Sequence, residues 1–329
     1  MMRIAVVGAG AVGGVLAAVL SGAGHEVTVT ARGAQLAAIR VHGLQLSGGW
    51  GERTVHPRAL ETLVEAPELA FLCVKAQDTA AAIAANPVLA GVPVVVVQNG
   101  LDGVDEVGRL LPASPRIGAL AMFAASYLTP GEVAVTTPAP VYLGAGPGEA
   151  PALAHTVAAL IAPIRGVVLS NFSGAQWTKL IVNHVNAMPA ITGLSAQATI
   201  AEPRLRRLIT RSMQEAIRVG IASGVRFGSM QGLGDRRLRL AARLPVAIAQ
   251  VLPWLMARRM GRTPNPGSTL QSIRRGQRTE IDFLNGAVVR RGREAGLATP
   301  VSLGIVAMVH DVELTGVFLT PDQVVAQLR

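Results

Sequence analysis

The chain has 329 residues, of which half are hydrophobic and 15% are charged, and it contains one cysteine, Cys73. This composition excludes a disordered chain and a disulfide-rich scaffold, and the length indicates two domains with separate cores. The net charge of +10 comes from 28 arginines but only two lysines, Lys75 and Lys179. Because lysine can release a proton at accessible pKa values and arginine cannot, both lysines are candidate functional residues.

The first element is an apolar β-type run, Ile4 to Val7, which leads into Gly8-x-Gly10-x-x-Gly13 and a helical pattern from Ala11 to Leu20. A strand, a glycine loop and a helix in this order are the context of a dinucleotide-binding fingerprint. Gly8 would allow the turn, Gly10 the approach of a pyrophosphate, and Gly13 close packing of the helix. A tight β-α turn without a ligand is the alternative. The predicted cofactor-binding loop consists of Gly8, Ala9, Gly10, Ala11, Val12 and Gly13.

A second strand is predicted from Glu26 to Thr30, and a helix from Ala34 to His42. The end of this strand is where an acidic residue would bind the ribose hydroxyls of NAD, but the residue there is Arg32. A guanidinium at this point suits a 2′-phosphate, so the sequence favours NADP over NAD. The alternative is that Arg32 is an ordinary solvated residue in a turn.

Two further buried strands are predicted, Leu69 to Val74 and Pro93 to Val97, each followed by a helical pattern. Lys75 follows the first strand and Asn99 follows the second. Since open α/β sheets bind ligands beyond the carboxyl ends of their strands, both residues are candidate site residues.

The later β-type runs end near residue 170, and from Ser173 onward helical patterns follow one another. We therefore predict an α/β fold with a Rossmann-type dinucleotide-binding domain over residues 1–171 and an all-helical domain over residues 172–329. The β-type segments before the boundary are 43–56, 116–123, 132–136, 141–143 and 167–169, with a helix at 152–162. The predicted helices after it are 174–188, 201–223, 235–261 with a break at Pro253, 279–295 and 301–312.

Several motifs along nearly the whole chain resemble the ketopantoate reductase (2-dehydropantoate 2-reductase) family. The glycine loop is shared by all Rossmann dehydrogenases, whereas the later motifs are specific to the family. The matching segments are Gly8 to Gly13, Cys73-Val74-Lys75-Ala76, Gln98-Asn99-Gly100, Trp177 to Asn183, Ser268-Thr269-Leu270-Gln271 and Arg278 to Gly286. The resemblance implies NADPH-dependent reduction of a 2-keto acid to a 2-hydroxy acid, ketopantoate to pantoate in pantothenate biosynthesis, with the helical domain closing over the cofactor.

The resemblance also assigns roles to individual residues. Lys179 resembles the family's catalytic acid, and Glu280 resembles the acid that binds substrate and interacts with that lysine. Lys75 and Asn99 look like residues near the nicotinamide, with Asn99 also a substrate contact. Asn183 and Ser268 look like further substrate contacts. Such roles suit the chemistry, because hydride addition to a ketone leaves an alkoxide that a positioned ammonium can stabilise and protonate.

The sequence departs from the family pattern at two positions and in one long segment, 235–263. The family usually has a second Asn four residues after Asn183, where this chain has Ala187, and often an Asp after Leu-Gln, where this chain has Ser272. A reductase of the same fold acting on another 2-keto acid or ketone is therefore an alternative. A non-catalytic NADP(H)-binding sensor is a second alternative, although a sensor would need neither Lys179 nor Glu280.

Other partners are not expected from the sequence. The six histidines are scattered without ligand spacing, which argues against a metal, and eleven aromatic residues without an interleaved pattern argue against nucleic acid. No signal peptide is evident and a single cysteine suits a reducing compartment, so we expect a cytoplasmic protein without a membrane partner. The sequence leaves open whether the chain is a homodimer.

One long segment, 235–263, is unusually rich in arginine and apolar residues. Its apolar run from Val246 to Ala257 is too short to span a bilayer, which takes about 20 residues. We expect a pair of helices that packs on the helical domain or at a subunit interface. The alternative is an amphipathic element that lies on a membrane surface.

Overall fold

The computed structural model describes residues 1–145, 151–261 and 264–328. The chain divides into two compact units, Met1–Phe172 and Ser173–Arg329. Arg262 and Thr263, at the end of the arginine-rich segment, lie outside the described residues.

The first unit is built on an eight-stranded sheet that is parallel except where β11 pairs with β8. In spatial order its strands are β12 (Gly166–Val168), β11 (Val141–Gly144), β8 (Arg116–Ala121), β7 (Val94–Val97), β6 (Leu69–Leu72), β1 (Arg3–Val7), β2 (Glu26–Thr30) and β5 (Arg58–Leu60). Every residue of β6 and β7 is buried, as their continuous apolar sequences predict.

The chain starts in the middle of this sheet, and it adds β2 on one side of β1 and β6 on the other. Such a reversal of strand order opens a crevice at the carboxyl ends of the strands, where doubly wound sheets bind ligands. The helices of this unit are α1 (Ala11–Gly22), α2 (Gly33–His42), α3 (Thr79–Ala84), α4 (Gly103–Leu110) and α5 (Pro151–Leu160).

A second sheet of four strands packs on α1. Its strands are β4 (Arg53–Val55), β3 (Leu44–Gly48), β10 (Glu132–Thr137) and β9 (Ala124–Tyr127), in that order. Val133 and Val135 of β10 are buried, and a Cβ added at Gly14 of α1 would lie 2.8 Å from Val133 Cγ1. The sequence predicted short β segments here but not that they pair into a sheet of their own, and it missed β5 and β9.

The second unit is helical, and the only β pairing among its described residues is an isolated bridge between Met230 and Leu233. Its helices are α6 (Phe172–Asn183), α7 (Ala187–Thr192), α8 (Ala196–Ala201), α9 (Pro203–Ala222), α10 (Asp235–Arg243), α11 (Val246–Ala249), α12 (Val251–Arg259), α13 (Gly267–Arg274), α14 (Asn285–Glu294), α15 (Pro300–Thr315) and α16 (Pro321–Gln327). The predicted α/β fold with a helical C-terminal part is confirmed. Among the described residues, no helix is both long and apolar enough to cross a membrane.

Three predicted helix boundaries are wrong. The helix expected over 174–188 is interrupted by a 3₁₀ turn, His184–Asn186. The break expected at Pro253 lies instead at Leu244 and Pro245, because Pro253 is tolerated in the first turn of α12, where the backbone N–H it lacks would have no helical partner. The helix expected from Thr279 begins only at Asn285, after a 3₁₀ turn at Ile281–Phe283. Glu280 therefore precedes a 3₁₀ turn rather than lying in an α-helix.

Candidate active site

The loop between β1 and α1 is constrained by its own glycines. Gly8 has a φ of +101°, in the region that favours glycine, and a Cβ there would lie 2.9 Å from Val74 Cγ1. A Cβ at Gly13 would lie 2.0 Å from the carbonyl oxygen of Gly8. Both glycines are thus required by the fold itself, whatever the loop binds.

Gly10 differs from both, and the difference points to a ligand. A Cβ at Gly10 would meet no heavy atom within 4 Å, so the protein's packing does not explain its small size. Gly10 is also the N-cap of α1, and it makes no side-chain cap hydrogen bond to the first-turn N–H groups. An open glycine at a helix N-terminus fits the close approach of a pyrophosphate, so the residues present suit a dinucleotide.

Two polar side chains that the sequence pattern does not single out hold this loop in place. Thr30, at the end of β2, accepts a hydrogen bond from Gly8 N at its Oγ1 atom (3.0 Å) and one from Ala9 N at its carbonyl oxygen (3.0 Å). Gln35 of α2 donates from Nε2 to the Ala9 carbonyl oxygen at 2.8 Å. Threonine and glutamine are not specific to such loops, so only the three-dimensional structure shows that Thr30 and Gln35 support this one.

Arg32 lies two residues beyond β2, at the N-cap of α2, and is exposed. Because β1 and β2 are adjacent and parallel, Arg32 and the glycine loop follow neighbouring strands at the same edge of the sheet. This is the place from which a cation would contact the 2′-phosphate of NADP bound at the glycine loop.

Lys75 and Asn99 follow β6 and β7, which are also adjacent and parallel, and both residues are partly exposed. Gln98 connects the two segments, since its Nε2 atom donates to the Val74 carbonyl oxygen (3.0 Å) and to Thr79 Oγ1 (2.8 Å). Gln98 is itself buried. These two hydrogen bonds connect the loop after β6, which carries Lys75, to the loop after β7, which carries Asn99. The sequence alone does not reveal this role of Gln98.

In the second unit, Lys179 lies in the middle of α6 and is only 8% exposed. Burial lowers the pKa of its ammonium group from 10.5 to about 8, and the negative charge of Glu280 acts in the opposite direction. Desolvation penalises the charged form, and a nearby carboxylate favours it. An ammonium group of this kind can exchange a proton near neutral pH, as a general acid must.

Glu280 is held near Lys179 through the backbone on either side of it. Thr279 N donates to Glu313 Oε1 of α15 at 2.6 Å, and Thr279 Oγ1 accepts from Ile281 N at 3.2 Å. The Glu280 carbonyl oxygen accepts from Phe283 N at 2.9 Å, which forms the 3₁₀ turn. The turn takes the place of the expected helix start and leaves Glu280 partly exposed, in electrostatic contact with Lys179.

Asn183 and Ser268 lie on segments that pack together. Asn183 ends α6, one turn beyond Lys179, and Ser268 is the second residue of α13. Helix α13 packs on α7 and on the 3₁₀ turn between α6 and α7. At this contact a Cβ added at Gly267 would lie 2.8 Å from Asn186 Oδ1. The structure therefore places Glu280 close to Lys179. Separately, it packs the segment that carries Asn183 against the segment that carries Ser268.

A buried polar cluster connects the segments that carry Asn183 and Glu280. His184 Nδ1 is 2.7 Å from Ser212 Oγ of α9, and Asn285 Nδ2 donates to the same Oγ at 3.1 Å. Burial lowers the pKa of His184 to about 3, so the ring is neutral at physiological pH. His184 thus belongs to the packed interior, and the sequence did not point to Ser212 or Asn285.

Comparison with known proteins identifies the family. The family model "Ketopantoate reductase PanE/ApbA" matches residues 4–148, and its C-terminal counterpart matches residues 171–313. The chain belongs to the ketopantoate reductase family. As a member of this family it is an oxidoreductase acting on CH–OH groups, and NADP is the cofactor of the family.

Individual relatives agree with this assignment over nearly their whole length. The 2-dehydropantoate 2-reductase of Halobacterium salinarum is 29% identical over 310 residues, covering 91% of this chain and 95% of that protein. The crystal structure of a ketopantoate reductase of the family from Ralstonia eutropha has 30% identity and a TM-score of 0.79, and the match covers 95% of this chain and 98% of that one.

The same fold also serves another oxidoreductase. D-mandelate dehydrogenase, solved with NADH and anilino(oxo)acetate, has a TM-score of 0.80 at 21% identity, with 95% and 99% of the two chains covered. At this identity the likeness shows the fold alone.

Proposed function

We propose that this chain catalyses the NADPH-dependent reduction of 2-dehydropantoate (ketopantoate) to pantoate, a step of pantothenate biosynthesis. The family match and the relatives named 2-dehydropantoate 2-reductase support this substrate. The open Gly10 and the exposed Arg32 support the cofactor. We assign cofactor binding to the glycine loop, Arg32, Lys75 and Asn99.

The observation that carries the proposal is the buried Lys179 with a pKa of about 8 beside Glu280. The glycine loop and Arg32 would hold NADPH, which would provide the hydride for the keto carbon of the substrate. As negative charge develops on the keto oxygen, the Lys179 ammonium donates a hydrogen bond to it and then its proton, which yields the hydroxyl group. The neutral amine that remains is tolerated in a buried site and is reprotonated for the next turnover.

Glu280 has two tasks in this proposal. Its charge favours the protonated form of Lys179, which is the form that starts the reaction. Its carboxylate also accepts a hydrogen bond from a substrate hydroxyl group, and pantoate-type substrates carry one. Asn99, Asn183 and Ser268 supply further polar groups that orient the keto acid.

A reducing, cytoplasmic setting is part of the proposal. The only cysteine, Cys73, lies against the glycine loop, where its Cβ atom would be 3.0 Å from a Cβ at Gly13. Burial raises the pKa of the Cys73 thiol far above its usual range, so the group is a poor nucleophile. It packs the loop and does not take part in catalysis.

The test is NADPH oxidation by the purified protein with ketopantoate and a panel of aliphatic and aromatic 2-keto acids, with NADH in parallel. We expect the highest kcat/KM with ketopantoate and NADPH, and a kcat that is about 10²- to 10⁴-fold lower in Lys179→Ala. Equal or higher kcat/KM with another keto acid would reject ketopantoate but keep the reductase. Tight NADPH binding without turnover of any keto acid would indicate the non-catalytic sensor.

A second candidate substrate class, another 2-keto acid, is favoured by two buried positions. Ala187 begins α7 and Ser272 lies in α13, and both are buried where these helices pack together. Ser272 Oγ donates to the Ser268 carbonyl oxygen at 3.2 Å, within its own helix. Neither position offers the polar side chain that the family pattern has there, which leaves fewer polar partners for a substrate and would suit a more apolar keto acid.

A further inference from the structure

The arginine-rich segment exposes large apolar side chains to a degree that a packed helix pair does not explain. Its inner residues are buried on the rest of the helical unit: Leu238, Ala242 and Ala249 are each less than 9% exposed. Its outer apolar residues are between 43% and 58% exposed, and they are Leu240, Ile248, Val251, Trp254 and Leu255. The segment therefore has apolar side chains on two sides, one side buried against the helical unit and the other exposed.

The exposed apolar residues of α11 and α12 lie on one side of these two helices, and Leu240 lies on α10. Val251, Trp254, Leu255 and Arg258 follow the spacing i, i+3, i+4 and i+7 along α12, so they share a face, and Ile248 extends it by one turn. The Arg258 guanidinium lies 4.6 Å from the centroid of the Trp254 ring. An aromatic ring beside a guanidinium is typical of side chains at a boundary between water and an apolar phase.

Exposed arginines border these apolar residues on both α10 and α12: Arg236, Arg237, Arg243, Arg258 and Arg259. The turn at Gln231 and Gly232 gathers two of them. Arg259 Nη1 donates to the Gln231 carbonyl oxygen at 2.8 Å, and Arg237 Nη1 donates to the carbonyl oxygen of Gly232. We call the five arginines and the five exposed apolar residues together the arginine-apolar face.

The part of the sequence that carries this face has almost only positive charges. Between residues 216 and 279 the sequence has twelve arginines and a single acidic residue, Asp235. That carboxylate is already engaged, since its Oδ2 atom forms an ion pair with Arg239 Nε at 2.8 Å and its Oδ1 atom accepts from Phe227 N at 3.0 Å. Whatever covers the face must bring its own negative charge.

This requirement argues against a second copy of the chain as the covering partner. A two-fold interface places the same patch on both sides, so arginines would face arginines without acidic partners. Like charges placed opposite each other in an interface cost several kcal/mol. A surface with many negative charges over an apolar interior would match both parts of the face, since the charges would pair with the arginines and the interior would take up the apolar side chains.

We propose that the arginine-apolar face binds a membrane surface that contains anionic lipid. The apolar side chains enter the boundary between headgroups and acyl chains, and the arginines pair with lipid phosphates. The protein lies on the membrane and does not cross it. This proposal is independent of the substrate that the reductase uses.

The test is flotation of the full-length protein with vesicles of phosphatidylcholine alone or with about 30 mol% phosphatidylglycerol, at low salt. We expect binding to the anionic vesicles at least about tenfold tighter than to the neutral ones, because each arginine near an anionic surface contributes separately. A blue shift of tryptophan fluorescence that is lost in Trp254→Phe would place the face at the membrane. Lack of binding to anionic vesicles at low salt would overturn the proposal.

Matched variants separate this face from the net charge of the protein. Arg258→Glu/Arg259→Glu should weaken vesicle binding about tenfold or more, whereas Arg109→Glu/Arg293→Glu, an equal change of charge at exposed positions elsewhere, should have a much smaller effect. Equal effects of the two pairs would overturn the proposal.

A second pair of variants tests the apolar half. Ile248→Ser/Leu255→Ser should weaken vesicle binding, and Val64→Ser/Leu314→Ser, at other exposed apolar positions, should not. Keto-acid reduction by each variant shows that it is folded. If Ile248→Ser/Leu255→Ser instead dissociates an oligomer in sedimentation velocity and leaves vesicle binding unchanged, the face is covered by a second copy and the proposal fails.

Discussion

The glycine loop of the first unit and the Lys179 region of the second unit are built in opposite ways for the roles proposed for them. The loop acts through its backbone: a glycine with a φ of +101°, a second glycine whose Cβ would clash at 2.0 Å, and a third that is open. The Lys179 region acts through one side chain, whose pKa is set by burial and by Glu280. An added Cβ at Gly8 or Gly13 would therefore meet the protein's own atoms, whereas a change at Lys179 would alter the proton affinity of the site.

The largest expected effect is on the chemical step. Lys179→Ala and Lys179→Arg should both lower kcat by about 10²- to 10⁴-fold, the usual contribution of general acid catalysis. Arginine keeps the charge but, with a pKa above about 12, it is too weak an acid to donate the proton. Steady-state kinetics with the best keto acid, together with NADPH titration, should show kcat reduced and cofactor affinity little changed. Nearly full kcat in Lys179→Arg would show that positive charge alone suffices.

Within the loop, Gly13, which has no space for a Cβ, and Gly10, which has, should respond differently to substitution by alanine. Gly13→Ala should lower the free energy of unfolding by about 3 kcal/mol or more, because the backbone must move to relieve the overlap with Gly8. Gly10→Ala should leave the free energy of unfolding of the cofactor-free protein nearly unchanged but weaken NADPH binding. Urea denaturation and cofactor titration of both variants check this pair. Similar destabilisation by both would remove the argument that Gly10 is kept for a ligand.

The buried ammonium should cost the protein stability. A lowered lysine pKa means that the charged form is disfavoured in the folded state, by about 3 kcal/mol for a pKa of about 8 against 10.5. Lys179→Met should therefore raise the free energy of unfolding at neutral pH by about 1–3 kcal/mol while abolishing catalysis.

The sign of this effect gives it a pH dependence. The cost is complete below a pH of about 8 and disappears as the pH rises towards 10.5, where lysine is neutral in both states. The difference between Lys179→Met and the parent protein should shrink over that range in urea denaturation. A difference that is constant with pH would indicate a packing effect instead.

Arg32 should determine the choice of cofactor. Arg32→Ala should weaken NADPH binding by about 1.5–3 kcal/mol, the range for hydrogen bonds to charged groups, and leave the use of NADH almost unchanged. Arg109→Ala, at an exposed arginine of α4, serves as the control. Loss of affinity for both cofactors alike would contradict a role in binding the 2′-phosphate.

The smallest expected effect is a shift of the pH profile. The reduction needs protonated Lys179, so kcat/KM should fall as the pH rises through about 8. Glu280→Gln removes the charge that raises this pKa and should move the falling limb to lower pH, with a higher KM for the keto acid. Glu294→Gln, at an exposed position of α14, should leave the profile in place.

The sequence by itself determined the features that depend on local conformation. A strand, three glycines and a helix define the loop because the positive φ of Gly8 and the contact of Gly13 with the Gly8 carbonyl oxygen are local features. Continuous apolar runs identified β6 and β7 because both faces of those strands are covered. The family motifs also pointed to Lys179 and Glu280, although no local pattern explains why a glutamate 101 residues away matters to a lysine.

Only the tertiary structure decided the features that depend on distant pairing. The small sheet forms because β3 pairs with β10, from segments nearly 90 residues apart, and the loop supports Thr30 and Gln35 act across neighbouring elements. The pKa of Lys179 and the outward apolar side chains of α12 depend on burial and exposure. Sequence periodicity predicts which residues share a helix face. It does not predict whether that face is covered, because the covering atoms come from elsewhere in the chain or from another molecule.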